Sequence, residues 1–178
     1  ILSHVTVMET PHYHKLLVVG DVAIIPAPEL HEKIAIANYL IKTSQALGIE
    51  KPRLAVLAAS EQVSVKMQAS LDAALMSKMA DRGQIKGAFV DGPLSLDLAI
   101  DPESAQIKKV GGEVAGNADC ILFPNIESGN VFYKANTKLA KGEQGAIVAG
   151  AKVPAVLSSS GDSAKTKLYS IALAALLA

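Results

Sequence analysis

Short apolar runs alternate along the chain with longer segments in which apolar residues recur every three or four positions. The first two runs, Leu2–Met8 and Leu16–Ile25, flank a polar stretch containing Pro11, which predicts two strands joined by a turn and paired antiparallel. Pro28–Leu47 then places Ile34, Ala37, Leu40, Ile41 and Leu47 on one helical face and ends at Gly48. Leu54–Ala59 is apolar without alternation, as a strand covered on both faces is. Lys66–Arg82 follows as a helix, with Met67, Leu71, Leu75 and Met79 on one side and Gly83 at its end.

The same unit recurs. Ala88–Val90 predicts a strand ending at Asp91-Gly92-Pro93, and a polar middle leads to a strand at Ala118–Phe123 and a helix over Ser128–Lys141 closed by Gly142. Ala146–Val148 and Val153–Leu157 predict short strands, and Ala164–Leu177 a helix entered through Asp162 or Ser163 as cap. Strands alternating with helices imply an α/β fold, a mostly parallel sheet flanked by helices. No repeat, low-complexity tract or charge block marks a linker.

Composition narrows the chemistry. At 178 residues, half of them hydrophobic, the chain can bury a core without disulfides. Lys plus Arg equal Asp plus Glu at 17 each, so there is no cationic surplus for nucleic acid or for an anionic membrane surface. The apolar runs fall short of the roughly 20 residues that span a bilayer. Cys120 is the only cysteine, which excludes an internal disulfide and fits a cytoplasmic protein. The chain opens without an initiator Met or a signal-peptide pattern, so it is expected to begin mid-protein.

In parallel sheets, ligands collect beyond the carboxyl ends of strands, where free N–H groups of the next helix point outward. The richest such junction is Ser158-Ser159-Ser160-Gly161-Asp162-Ser163, whose hydroxyls and amides suit a phosphate or acyl phosphate and equally suit a capped turn. At Pro124–Asn130, Asn125, Glu127 and Asn130 gather polar groups, and Gly129 offers a close backbone approach. The alternative there is helix capping by Asn125 and Ser128. Asp91, just after a strand, is a carboxylate or a turn former, and Ala58–Gln62 is uninformative. His12 and His14 read as a solvated loop, and His4 and His31 receive no role. No dinucleotide fingerprint, P-loop or hydrolase elbow occurs.

Eleven ordered blocks, among them Met79-Ala-Asp-Arg-Gly-Gln-Ile-Lys-Gly, Asp91-Gly-Pro-Leu, Ala115-Gly-Asn-Ala-Asp, Pro124-Asn-Ile-Glu-Ser-Gly-Asn, Gly150-Ala-Lys-Val-Pro and Ser170-Ile-Ala-Leu-Ala, resemble the phosphate acetyl/butyryltransferase family, nearer its butyryl branch. The resemblance spans essentially the whole chain. It implies an isocitrate/isopropylmalate dehydrogenase-like architecture of two α/β domains with a cleft between them and most of the N-terminal domain absent. Residues 1–150 would form the central domain, and residues 151–178 would return to the other. The implied reaction is acyl-CoA plus phosphate giving acyl phosphate plus CoA, with short straight or branched acyl groups. Coenzyme A is then a substrate, no cofactor is tightly bound, and the assembly is a homodimer or larger.

The resemblance also implies site roles. Ser159, Ser160, Gly161, Asp162 and Ser163 match the family's phosphate-side motif, with Asp162 as base and Ser160 at the reacting centre. Asn125, Glu127, Gly129, Asn130 and Lys134 match its other polar cluster, and Asp91 joins them as a phosphate- or CoA-binding candidate. One departure stands out: an Arg usually occupies the place of Ser160, and Lys134 or Lys165 would have to supply that charge. The rival readings are a CoA-binding relic without turnover, and a phosphate acyltransferase acting on acyl carrier protein. A metal-dependent decarboxylase of similar fold lacks its Asp-rich helix motif.

Overall fold

The computed structural model describes residues 1–178 and keeps the alternation of strand and helix. In chain order it contains β1 (Ser3–Glu9), β2 (Leu17–Gly20), α1 (Leu30–Ala46), β3 (Arg53–Leu57), α2 (Gln68–Asp81), β4 (Phe89–Leu94), α3 (Leu96–Ile100), α4 (Pro102–Ile107), β5 (Cys120–Leu122), α5 (Ile126–Lys138), β6 (Glu143–Ala149) and α6 (Ala164–Leu176). One six-stranded sheet has the order β4-β3-β5-β2-β1-β6. β4, β3, β5 and β2 are parallel, while β1 runs antiparallel to both β2 and β6, so β1 alone is reversed.

Period-two alternation divides the apolar residues between two cores. Val18, Leu54, Val56, Cys120 and Leu122 face α1 and α2, with Leu173 and Ala174 of α6 in the same core. Leu17, Val19, Ala55, Leu57 and Ile121 face the other way, onto Leu98, Ala105 and Tyr133 of α3, α4 and α5. On β1 the same rule sends Val5 and Met8 to opposite cores. The central strands are therefore covered on both faces, which is why they read as unbroken apolar runs.

The antiparallel β1–β2 pair forms as expected, with Thr6 opposite Val19. Gly48 and Gly83 follow α1 and α2 at φ +94° and +75°, left-handed backbone that closes both helices. Three expectations change. The polar middle contains α3 and α4, helices too short to show a period, with Asp101 capping the second. Val153–Leu157 is not a strand: Pro154 interrupts it, most of it is exposed, and its one backbone–backbone bond to the sheet is Val148 N–H to the Ala155 carbonyl at 2.9 Å. β2 stops at Gly20, because Asp21–Ile25 folds into a turn around the Asp21 carboxylate.

The α1–α2 contact contains a buried ion pair, Lys33 Nζ to Asp72 Oδ2 at 2.7 Å, supported by Gln68 Nε2 donating to Asp72 Oδ1 at 2.8 Å. Removing one partner strands a charge in the core. We expect Lys33→Ala to cost about 3–5 kcal/mol in urea unfolding, while Lys42→Ala on the exposed side of the same helix leaves the midpoint nearly unchanged.

Candidate functional site

A cleft of about 270 Å³ lies between α5, the turn after β2 and the segment leading into α6. Ile126, Asn130 and Lys134 are spaced by four on α5 and so share one face. That face lines the cleft, together with Val22, Ala23, His4, Leu157, Ser158 and Ser159.

Its rear wall rests on Asp21, a carboxylate only 2% exposed. Oδ1 accepts from the N–H groups of Ala23 and Ile24 at 2.7 and 2.9 Å. Oδ2 accepts from the Ser3 hydroxyl, His4 N–H and Ile25 N–H at 2.9, 3.1 and 3.3 Å. Five donors replace the water that a buried carboxylate gives up, and they fix both β1 and the Val22–Ile25 turn.

His4 stands on β1 at 3% exposure. Its Nε2 lies 3.3 Å from the Leu157 carbonyl, which can only accept, so Nε2 carries the proton. Burial pushes its pKa below the ordinary 6.5, leaving the ring neutral and Nδ1 free to accept from the Thr6 hydroxyl at 3.2 Å. The imidazole meets Tyr133 edge-on, with centroids 6.0 Å apart at 75°.

The Tyr133 hydroxyl donates to Asp162 Oδ2 at 2.9 Å, and the Ser159 N–H donates to the same oxygen at 2.8 Å. Burial first, and then the bond to Asp162, raise the Tyr133 pKa, so the hydroxyl keeps its proton through the neutral range. Ser163 caps α6 by accepting from Thr166 N–H at 3.1 Å. On the far side of the turn, Gly161, Asp162 and Ser163 border a second hollow of about 290 Å³ with Lys138, Lys141 and Lys165 on its walls. Lys165 is already paired with Glu143.

The candidates thus separate. Asn130, Lys134 and Ser159 meet in the first cleft; Gly161, Asp162 and Ser163 meet beside it; Ser160 is exposed between the two. Asn125 caps α5 by accepting from Ser128 N–H at 3.0 Å, and Glu127 is exposed in the first turn, outside the cleft. Gly129 is buried against the turn after β2: a Cβ there would collide with the Asp21 carbonyl, so the missing side chain admits that turn. Asp91 lies apart from both, within β4, three strands from β2, in a hollow with Lys51, Ser77 and Glu113. Burial raises its pKa against the bond from Gly92 N–H.

The turn itself is not one more carboxyl-end junction. Glu143 at the start of β6 pairs with Lys165, and Ala146 N–H donates to Ser170 at 2.9 Å, so α6 runs alongside β6 in the same direction. Residues 151–163 therefore travel back past His4 before the helix begins. His4, Asp21 and Tyr133 were missed in the sequence. Reading Leu16–Ile25 as one strand hid the Gly20-Asp21 strand end, the one signal that could have drawn attention there.

A family model described as phosphate acetyl/butaryl transferase matches residues 1–175. A phosphate butyryltransferase of Clostridium acetobutylicum is 52% identical over 99% of this chain and 59% of its own length. A phosphate acetyltransferase of Thermotoga maritima is 41% identical over 99% and 60%. The crystal structure of a branched-chain phosphotransacylase from Enterococcus faecalis superposes with a TM-score of 0.91 at 36% identity, over 99% of this chain and 63% of that one. The chain thus spans about three fifths of the length of these relatives.

Two measurements follow from this geometry. Because the folded pKa of His4 lies below 6.5, the unfolded chain binds the extra proton between those values. The stability that His4 contributes is whole above pH 6.5 and falls as pH drops toward the folded pKa. The urea midpoint should fall between pH of about 7.5 and about 5.5, and His4→Gln should remove that part of the slope. Gly129→Ala should cost about 1–3 kcal/mol at either pH, since its methyl and the Asp21 carbonyl need the same space.

Proposed function

This chain belongs to the phosphate acetyl/butyryl transferase family, and we propose on that premise that the protein moves a short acyl group between CoA and inorganic phosphate. The observation that carries the proposal is the convergence of Lys134, Asn130, Ser158 and Ser159 on one cleft with an apolar side formed by Val22, Ala23, Ile126 and Leu157. Hydroxyls and an ammonium suit a phosphate, and the apolar side suits a short acyl chain, straight or branched, of butyryl type. The lysine-walled hollow across the turn offers a place for the phosphates of CoA.

In the proposed reaction an oxygen of hydrogen phosphate attacks the thioester carbonyl, the tetrahedral intermediate collapses with loss of the C–S bond, and CoA leaves as thiolate, which takes up the proton that the phosphate gives up. In reverse, Asp162 takes the thiol proton. Its Oδ2 is occupied by Tyr133 and Ser159, which leaves Oδ1 for that task. Ser160 stands where the family pattern has Arg. Between the two lysines considered as replacements, Lys134 is the better placed, because it faces the cleft and Lys165 is held by Glu143. An ammonium supplies a point charge without the bidentate fork of a guanidinium.

We further propose that residues 1–150 form one domain of an isocitrate/isopropylmalate dehydrogenase-like pair, and that residues 151–178 also serve the second domain. The apolar side chains α6 leaves exposed, Leu168 at 63% and Ile171 at 61%, are where it would lean. A cytoplasmic homodimer or larger assembly, with CoA as substrate and no tightly held cofactor, completes the proposal. The exposed Ser160 favours one second reading, a CoA-binding relative without turnover.

A thiol-release assay on the full-length protein with butyryl-, isobutyryl- and acetyl-CoA, with and without phosphate, decides between them. Phosphate-dependent release, fastest with the four-carbon acyl groups, is expected; CoA binding without release supports the second reading. Release only from acyl carrier protein thioesters would move the protein to lipid synthesis. Ser160→Arg should raise kcat/KM about tenfold or more, and Lys134→Gln should lower it about tenfold to a thousandfold.

A further inference from the structure

Residues 151–163 connect β6 to α6 without regular secondary structure, and most of them are exposed. Burial therefore contributes little to where this segment lies. Apart from bonds within the segment and the cap on α6, it is fastened by hydrogen bonds at three points. They are the Ala155 carbonyl to Val148 N–H, the Leu157 carbonyl to His4, and the Asp162 carboxylate to Tyr133.

The first of these lies upstream of the hydroxyls. The other two bracket them: the Leu157 carbonyl directly precedes Ser158, and Asp162 reaches back to Ser159 N–H at 2.8 Å while its own N–H donates to the Ser159 carbonyl at 3.1 Å. The two side chains that hold the ends touch each other edge-on, and both stand on regular elements, β1 and α5.

We infer that His4 and Tyr133 are the positioning residues of the phosphate-binding turn, each presenting one donor, Nε2–H and O–H, to opposite ends of Leu157–Asp162. The inference rests on the reading of that turn as the phosphate site. His4 is seated in turn through its backbone N–H on Asp21 and its Nδ1 on Thr6, so the clamp is built from the interior outward. Neither residue needs to touch substrate. Their contribution is to hold the Ser158 and Ser159 hydroxyls on the cleft side of the turn and Gly161 on the other. An unheld turn would have to be ordered by the incoming phosphate, which lowers affinity before it slows chemistry.

The test uses the full-length protein and two independent readouts, amide hydrogen exchange over residues 157–163 and steady-state kinetics. Tyr133→Phe removes only the hydroxyl and His4→Ala the donor, whereas His4→Gln restores an amide donor of similar reach. The expected result is exchange faster by about tenfold at Ser159–Asp162 in Tyr133→Phe and His4→Ala, with a KM for phosphate raised by about tenfold and kcat changed less. His4→Gln should recover most of both, and the cooperative unfolding of Tyr133→Phe should confirm that the ring still packs. Unchanged exchange in both variants overturns the inference, as does faster exchange with an unchanged KM for phosphate. If the wild-type protein releases no CoA, the transferase reading fails on its own, and exchange measured with and without inorganic phosphate still decides: a clamp that positions the site makes phosphate protect the turn more in wild type than in the variants, and equal protection overturns it.

Discussion

A buried carboxylate with five donors is the constraint on which the cleft depends. Asp21 lies at the carboxyl end of β2, where the chain must leave the sheet, and the donors come from β1 and from the turn after β2. A carboxyl group at 2% exposure is tolerable only when nearly every lone pair is occupied. The cost of leaving any donor out therefore fixes the shape of Val22–Ile25, and that turn is the wall against which α5 lies. Gly129 shows how close the approach is, since no side chain fits between the helix and the Asp21 carbonyl.

From this fixed wall, polar contacts extend outward through α5. Tyr133 holds Asp162 of the hydroxyl turn, while its carbonyl accepts from Gln144 Nε2 at 3.3 Å. Gln144, 2% exposed on β6, also accepts from Asn136 Nδ2 at 3.1 Å. One helix thus reads out the position of the interior strand β2 on one side and of the edge strand β6 on the other. Satisfied buried networks of this kind favour a single arrangement because any shift leaves several groups unpaired at once. The irregular segment 151–163, with little burial of its own, inherits its position from them.

Charge is distributed to match. The chain is neutral overall, yet Lys134 faces the cleft, and Lys138 and Lys141 line the hollow across the turn beside the Lys165–Glu143 pair and Asp162. A few lysines of this kind on a neutral molecule suit small anions without attracting polyanions. Lys134 is the cation that shares a cleft with Ser158 and Ser159, while the Asp162 carboxylate holds the Ser159 N–H from the other side of the turn.

The sequence alone carried the longer strands and helices in their order, because side-chain period follows from backbone geometry, but it showed neither the short α3 and α4 nor that Val153–Leu157 stays out of the sheet. Leu54–Ala59 and Ala118–Phe123 are unbroken apolar because both faces of an inner strand are covered, and Gly48 and Gly83 close helices because they tolerate positive φ. It also determined the family, through ordered blocks such as Pro124-Asn-Ile-Glu-Ser-Gly-Asn. It did not separate Asn130 and Lys134, which face the cleft, from Glu127, which faces away, nor detach Asp91 on the far edge of the sheet. Those assignments, and the meeting of His4 with Leu157 across 153 positions of chain, depend on strand order and on the angle at which α5 meets the sheet. Such contacts leave no local period to read, because they arise between segments whose sequences carry no record of each other; only the tertiary structure decided them.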